Sequence, residues 1–526
     1  MSAQMFYAVP KGKPSLRQAY EAWAQTRTLQ GAADPGVHPK VDPRKLSVGI
    51  VGGGMAGLYA ALRLQAEGAA VHVFEADCAR LGGRVYTHRF NSNPNQYFEA
   101  GAMRLPEIAE QKPVFDLIDY LNQINRKSDP QSLIETLPYV LFDEKGRDLV
   151  FVNGRRGPDG LAMTAKYAND NPQALGFAPA ATGAKTAAAL LDDAFKPLID
   201  LLEKNFDEGF AKIVEYDDYS FRAYLAQVLK WPEERINYVE VMSSQTNQFQ
   251  NSFTELLIEN MDFTQASWKT IKGGMDRLPQ ALARLFGAQN ITLGARVTAV
   301  AEAPGGGVSV SWDGGAEPAK FDKVLMALPP AALRMIATPQ WSPAKTQAIR
   351  SLHFEPLYKI GMLFKTRFWE QVGAPAMGGQ SITDLPSRWF VYPSYGIGDK
   401  GPGVLLLYSW MTDAVGWLPQ PENERIRLAL RDLQAVYQGQ VDVASLFVKA
   451  FEVNWTEQPS TGDAMFFPGQ FKNLFNVARQ PEGNVYFAGE HLSVHHTWIV
   501  GAIDSALLAC QQMLGAPELA PLRVKV

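Results

Sequence analysis

Only two cysteines, Cys78 and Cys510, occur in the 526 residues. The chain therefore has no disulfide framework and no cysteine-based metal cluster, and a reducing compartment suits it. No stretch of about twenty apolar residues occurs. The first residues also lack the apolar core of an export signal, because Lys11, Pro14 and Arg17 interrupt it. Runs of Lys or Arg are missing too, and the net charge is -4, which removes the electrostatic footprint of a nucleic-acid or anionic-membrane binder. What these absences leave is a soluble, cytoplasmic protein with no nucleic acid, membrane or metal partner. Its length is about three times that of a typical domain, enough for two or three cores. A homo-oligomer, dimer or higher, is the default for a soluble protein of this size.

What is present is organised around Leu46 to Glu75. Ser47 to Val51 reads as a buried strand. It runs into Gly52-Gly53-Gly54-Met55-Ala56-Gly57, which has the G-x-G-x-x-G spacing at Gly52, Gly54 and Gly57. The first glycine allows a tight turn, the second lets backbone approach a pyrophosphate, and the third lets the following helix pack closely on the strand. That helix starts near Met55, carries Leu58, Ala61, Leu62 and Leu64 at helical spacing, and gives way at Gly68. Its free N–H groups face the phosphates. Val71 to Glu75 is a second parallel strand ending in an acid suited to a ribose 2′-OH, which favours FAD or NAD over NADP.

Upstream, Ser15 to Trp23 reads as a Ser-capped helix with Leu16, Tyr20 and Trp23 on one face. Two further glycine turns follow the fingerprint, Leu81-Gly82-Gly83-Arg84 and Gly101-Ala102-Met103-Arg104, and Arg84 could meet phosphate. From about 110 to 260 the pattern becomes helical, with a Gly/Ala/Pro-rich linker near 172–185. A hairpin-like pair, Val297–Val300 and Val308–Ser311, then leads to a buried strand at Phe321–Ala327. The strand Leu357 to Phe364 is apolar except for Lys359, whose burial costs several kcal/mol unless it is partnered, and lowers its pKa. Tyr408 and Trp410 fall on one face of another strand by their two-residue spacing. Near the C-terminus, Asn484 to Glu490 is a strand running into an acid that could bind a polyol hydroxyl, and a helix opens near Thr497. His495 and His496 read as surface residues. Glu255 and Glu259, one helical turn apart, could meet a cationic side chain, but a solvated face accounts for them more simply.

The fingerprint with Glu75, the two glycine turns, Lys359 ahead of Phe368-Trp369-Glu370, the stretch Asp384 to Arg388, and Tyr486-Phe487-Ala488-Gly489-Glu490 with Trp498 together resemble the flavin amine oxidase family. Within it they are most similar to FAD-dependent L-amino acid oxidases. The resemblance covers most of the chain. It implies an α/β fold: a Rossmann-type FAD-binding domain (46–88, 262–328, 476–518), a mixed-sheet substrate domain (89–145, 329–475), an inserted helical domain (146–261) forming part of an access funnel, and an N-terminal extension over 1–45. It implies FAD contacts from Gly52, Gly54, Met55, Ala56, Gly57, Glu75, Ala76, Gly83, Arg84, Gly101, Ala102, Met103, Arg104, Val297, Gly489, Glu490, Trp498 and Ile499. With no cysteine between Cys78 and Cys510, that FAD is expected to be non-covalent.

By the same resemblance Arg104 clamps a substrate carboxylate, aided by Tyr408 and flanked by Trp410. Trp498 walls the pocket and Lys359 holds a water. Thr497 stands where the family has a glycine whose carbonyl meets the substrate amine. The implied reaction is oxidation of an L-amino acid by O2 to a 2-oxo acid, ammonia and hydrogen peroxide. The alternatives are a 2-monooxygenase releasing an amide and CO2, a primary amine oxidase, for which Arg104 would be pointless, and a flavin-stabilised binding protein without turnover.

Overall fold

A computed structural model describes residues 15–25, 40–245, 247–263, 267–457 and 461–522. Much of the expected N-terminal extension, residues 1–14 and 26–39, lies outside them. The part that is described contains helix α1 (Leu16–Gln25), with Ser15 Oγ accepting from Gln18 N and Leu16 and Tyr20 buried.

The fingerprint folds as its spacing dictates. Strand β1 (Ser47–Val51) leads through the glycine turn into helix α2 (Met55–Glu67), which ends on Gly68 at φ +107° and returns as strand β2 (Ala70–Glu75). These strands lie inside a five-stranded parallel sheet in the order Ile291–Leu293, β2, β1, Lys323–Met326, Val485–Phe487. Strand periodicity sorts its side chains into two cores. Val48, Ile50 and Leu325 face α2 and the C-terminal helix. Val51, Phe74, Val324 and Met326 face the antiparallel sheet built from Val297–Glu302, Val308–Trp312 and Ala319–Phe321.

A helical layer over residues 165–263 includes Ala187–Lys204, Phe206–Glu215, Glu233–Met242 and helix α3 (Phe253–Phe263), packed around Phe195, Phe221, Phe249 and Phe253. The Gly/Ala/Pro-rich stretch expected as a linker is instead folded into turns at Pro172–Leu175 and Pro179–Thr182, because Ala181 and Thr182 are fully buried.

The other large element is a seven-stranded mixed sheet in the order Phe447–Asn454, β3 (Leu357–Phe364), β4 (Gly403–Trp410), Trp389–Val391, Gln380–Thr383, Leu149–Phe151, Met163–Thr164. Every residue of β3 is buried, and a methyl added at Gly361 would sit 2.1 Å from the Phe98 ring, so glycine there admits that ring. Helix α4 (Ile499–Leu514) packs on α2 and closes the chain onto the parallel sheet. Among the described residues no helix is long and apolar enough to cross a membrane.

Candidate active site

Both large sheets contribute to one cavity of about 1010 Å³, and the helical layer supplies its outer wall through Ala187, Leu191 and Met242. At one end lie Gly52, Gly54, Met55, Ala56, Glu75 and Ala76. The three fingerprint glycines answer to different demands. Gly52 has φ +107°, and a methyl there would lie 2.6 Å from Ala327 O. At Gly57 a methyl would lie 2.0 Å from Gly52 O, so this glycine lets α2 cross the turn. Gly54 meets no such packing demand, since a methyl there would find nothing nearer than Gly83 Cα at 3.9 Å. The space over Gly54 at the start of α2 is open, as a phosphate seated on free helix N–H groups requires. Glu75 is held beside it, its Oε2 accepting from Gly53 N at 2.7 Å and its Oε1 from Asp77 N at 2.8 Å.

Gly83, Arg84, Gly101, Ala102, Met103, Gly489, Glu490, Thr497 and Ile499 also line the cavity. Two expected cofactor residues do not reach its wall. Gly57 is absent because its role is the helix crossing. Val297 packs in the core with Val300 and Val310, and its neighbour Arg296, just before the strand Val297–Glu302, lines the cavity instead. Glu490 is buried, and both its oxygens are engaged: Oε1 accepts from Arg84 Nη1 at 2.7 Å and Ala464 N at 3.1 Å, and Oε2 accepts from Thr497 N at 3.0 Å. Burial alone would raise its pKa, but Arg84, His496 and His491 outweigh burial and hold it below the ordinary glutamate value. Glu490 thus braces three segments. Arg84 is turned onto Glu490 and Gly462 O.

Lys359, Arg104, Tyr408, Trp410 and Trp498 meet at the other end. Lys359 sits across from Tyr408 in the β3–β4 register, with Nζ donating to Gly101 O at 2.6 Å and Glu99 O at 3.3 Å. Burial, reinforced by the Arg104 charge, lowers its pKa to about 7. Arg104 is 8% exposed, and its Nη1 is buried without a hydrogen-bond partner among the described residues. Its guanidinium lies within 5.0–6.0 Å of the ring centres of Phe263, Trp268, Trp389 and Tyr139. Tyr408 and Trp410 share a face with ring centres 4.9 Å apart. Thr497 has φ +69°, a conformation that is costly for a β-branched residue.

Trp498 is fixed by a chain of contacts that begins at the N-terminus. Its Nε1 donates to Asp262 Oδ2 at 2.7 Å, and the same oxygen accepts from Arg17 of α1. Arg17 also donates to Val494 O at 2.8 Å and Ile258 O at 3.2 Å. The Arg17–Asp262 pair has no signature in the sequence.

Two expectations are corrected. His495 and His496 are not surface residues. His496 is buried, its Nδ1 3.0 Å from Glu255 and its ring stacked on Phe471, and Glu255 overcomes the effect of burial to raise its pKa. Glu255 and Glu259 do not form a solvated face either: Glu255 is 3% exposed and accepts from Phe466 N, while Glu259 lines the cavity. Glu355 and Asp463 line it as well and were not singled out by sequence reasoning. The available signal was an acid followed by proline at the entrance to the apolar strand that carries Lys359.

The family model described as flavin containing amine oxidoreductase matches residues 55–514. A Dictyostelium discoideum protein named for an inferred bifunctional amine oxidase activity is 35% identical over 93% of this chain, which spans about half (48%) of that relative's length. L-amino-acid oxidase 4 of Hebeloma cylindrosporum is 30% identical over 90% of this chain and 83% of its own. Among solved structures, cyclohexylamine oxidase from Brevibacterium oxydans superposes with a TM-score of 0.67 over 90% of this chain and 99% of its own, at 18% identity, a likeness of fold alone.

Proposed function

The chain belongs to the flavin-containing amine oxidoreductase family, and from that premise we propose that it is an FAD-dependent oxidase of L-amino acids. Its products would be a 2-oxo acid, ammonia and hydrogen peroxide. The observation that carries this reading is Arg104, a buried guanidinium aimed into the cavity with Nη1 unsatisfied. A guanidinium in an aromatic box is matched by a substrate carboxylate, which can accept two parallel hydrogen bonds from it. A simple amine offers Arg104 nothing.

Gly52, Gly54, Met55, Ala56 and Glu75 would hold the pyrophosphate and ribose of FAD. Ala102, Met103, Gly489, Trp498 and Ile499 line the space for its flavin half. Non-covalent attachment is supported by the cysteines: Cys78 and Cys510 are both absent from the cavity wall, and burial pushes the Cys510 thiol up to about 12. Bound FAD would supply the redox chemistry, accepting hydride from the amino acid Cα and passing two electrons to O2.

The protein's own groups orient the substrate. Arg104 and the Tyr408 hydroxyl hold the carboxylate, Trp498 walls the pocket, and the Thr497 carbonyl lies at the turn where the α-amine would sit. Positioning of this kind contributes on the order of several kcal/mol to lowering a barrier. Lys359 is held by the Glu99 and Gly101 carbonyls, with Met103 Sδ at 3.8 Å, and lines the cavity, where its charge could act in the O2 step.

The test is Arg104→Ala and Arg104→Lys assayed with an L-amino acid. A kcat/KM loss of about a hundredfold or more in Arg104→Ala is expected, following loss of a charge-assisted bidentate contact, and unchanged activity would overturn the assignment. Product analysis belongs to the same experiment, because an amide and CO2 in place of a 2-oxo acid and peroxide would mark a 2-monooxygenase.

A further inference from the structure

Three carboxylates from three separate parts of the chain line the reactive end of the cavity: Glu259 of α3, Glu355 just before β3, and Asp463 in the segment leading to Ala464. Burial first, and then the charges of neighbouring carboxylates, raises the pKa of all three, so a cation beside them is what would keep them ionised. Glu355 is 2% exposed and is aimed by Gln248 Nε2 at 3.1 Å and Asn251 Nδ2 at 2.8 Å. Among the described residues, Glu259 Oε2 and Asp463 Oδ1 are buried with no hydrogen-bond partner. Arg84 is hydrogen-bonded to Glu490 and Lys359 to the carbonyls of Glu99 and Gly101, so their charges, like that of Arg104 on Glu259, reach the carboxylates without a direct hydrogen bond to them. Buried acids without donors are expensive, and a pocket meant for an apolar side chain would not assemble three of them.

The second observation is Arg104, nine-tenths buried, unsatisfied at Nη1 and facing the same cavity. A ligand that answers both features carries a carboxylate at one end and a cation at the other. A diamine would leave Arg104 unmatched, and a neutral amino acid would leave the carboxylates unmatched. We propose that Glu259, Glu355 and Asp463 form an anionic subsite for the cationic side-chain end of a dibasic amino acid, whose carboxylate Arg104 holds. The proposal rests on the amino-acid reading above and names its substrate class.

The holoenzyme is tested with L-lysine, L-arginine and L-ornithine against L-norleucine, which matches lysine but lacks the terminal amine, and against cadaverine, which lacks the carboxylate. A lysine-to-norleucine kcat/KM ratio above about ten is expected. Glu355→Gln and Glu259→Gln should each lower that ratio by roughly ten- to a hundredfold, as for loss of a hydrogen bond to a charged group. A wild-type preference for norleucine, or a ratio that survives both substitutions, overturns the anionic subsite while leaving the amino-acid reading intact. Turnover of cadaverine in preference to every amino acid would instead overturn the amino-acid reading itself. The wild-type panel needs no variant to fold.

Discussion

Arg17→Ala should act on the pocket from outside it. In the native protein the Arg17 guanidinium, 4% exposed, neutralises Asp262, 2% exposed, and Asp262 in turn accepts from the Trp498 indole. Truncating one partner of a buried ion pair leaves an uncompensated charge and costs about 3–5 kcal/mol. An unfolding entropy of about 2.1 cal/mol/K per residue over 526 residues amounts to about 1.1 kcal/mol/K, so the loss corresponds to about 3–5 °C in Tm. Burial already raises the Asp262 pKa while Arg17 pulls it down, so removing Arg17 raises it further. An acid whose folded pKa lies above its unfolded value binds more protons folded than unfolded. Stability therefore falls as pH rises through that window, and the deficit of Arg17→Ala should be larger at pH 8 than at pH 5.5. Asp262→Asn in the Arg17→Ala background removes the stranded charge and should recover most of the loss. Thermal unfolding of the holoenzyme followed by flavin fluorescence, with kcat measured alongside, reads both stability and the setting of Trp498. A Tm drop below about 1 °C, a deficit independent of pH, or strict additivity of the two substitutions would refute the reasoning.

Gly54→Ala should fold and lose bound flavin, because a methyl there meets no protein atom nearer than 3.9 Å and would enter the space proposed for the pyrophosphate, whereas Gly57→Ala should lose folded protein as well, given the 2.0 Å approach to Gly52 O. Flavin absorbance per folded chain separates the two. Thr497→Gly should raise stability by about 1 kcal/mol by relieving the backbone at φ +69°, and should change KM through the reshaped pocket; unchanged or lower stability would show the turn to be unstrained. Lys359 is cationic below its lowered pKa of about 7 and can stabilise negative charge developing on O2. Reoxidation in stopped flow should therefore slow as pH rises through that value, and Lys359→Met should be slow and flat; a persisting pH dependence would assign the titration to another group.

The strand–turn–helix–strand unit from β1 to β2 was legible because everything that specifies it lies within about thirty residues: glycine spacing, helical periodicity, a glycine cap and a terminal acid. Lys359 was legible for the same reason, as one ammonium in an otherwise apolar strand. Arg104, Tyr408 and Trp498 were named through resemblance, and the fold brings them to one cavity with Lys359. The fingerprint spacing and the resemblance assign Gly57 and Val297 to the cofactor, and only the fold shows that neither lines the cavity. The misreadings share a different cause. His496, Glu255 and Glu259 were read as solvated because charged residues usually are, and whether such a group is buried depends on partners far along the chain. Asp262 is held by Arg17 from the other end of the sequence, and the acidic wall is assembled from α3, the entrance to β3 and the segment before Ala464. Local spacing determines which elements form and which cofactor class they can seat. Which charges are taken out of water, and therefore which substrate the cavity can hold, is decided only when distant segments pack.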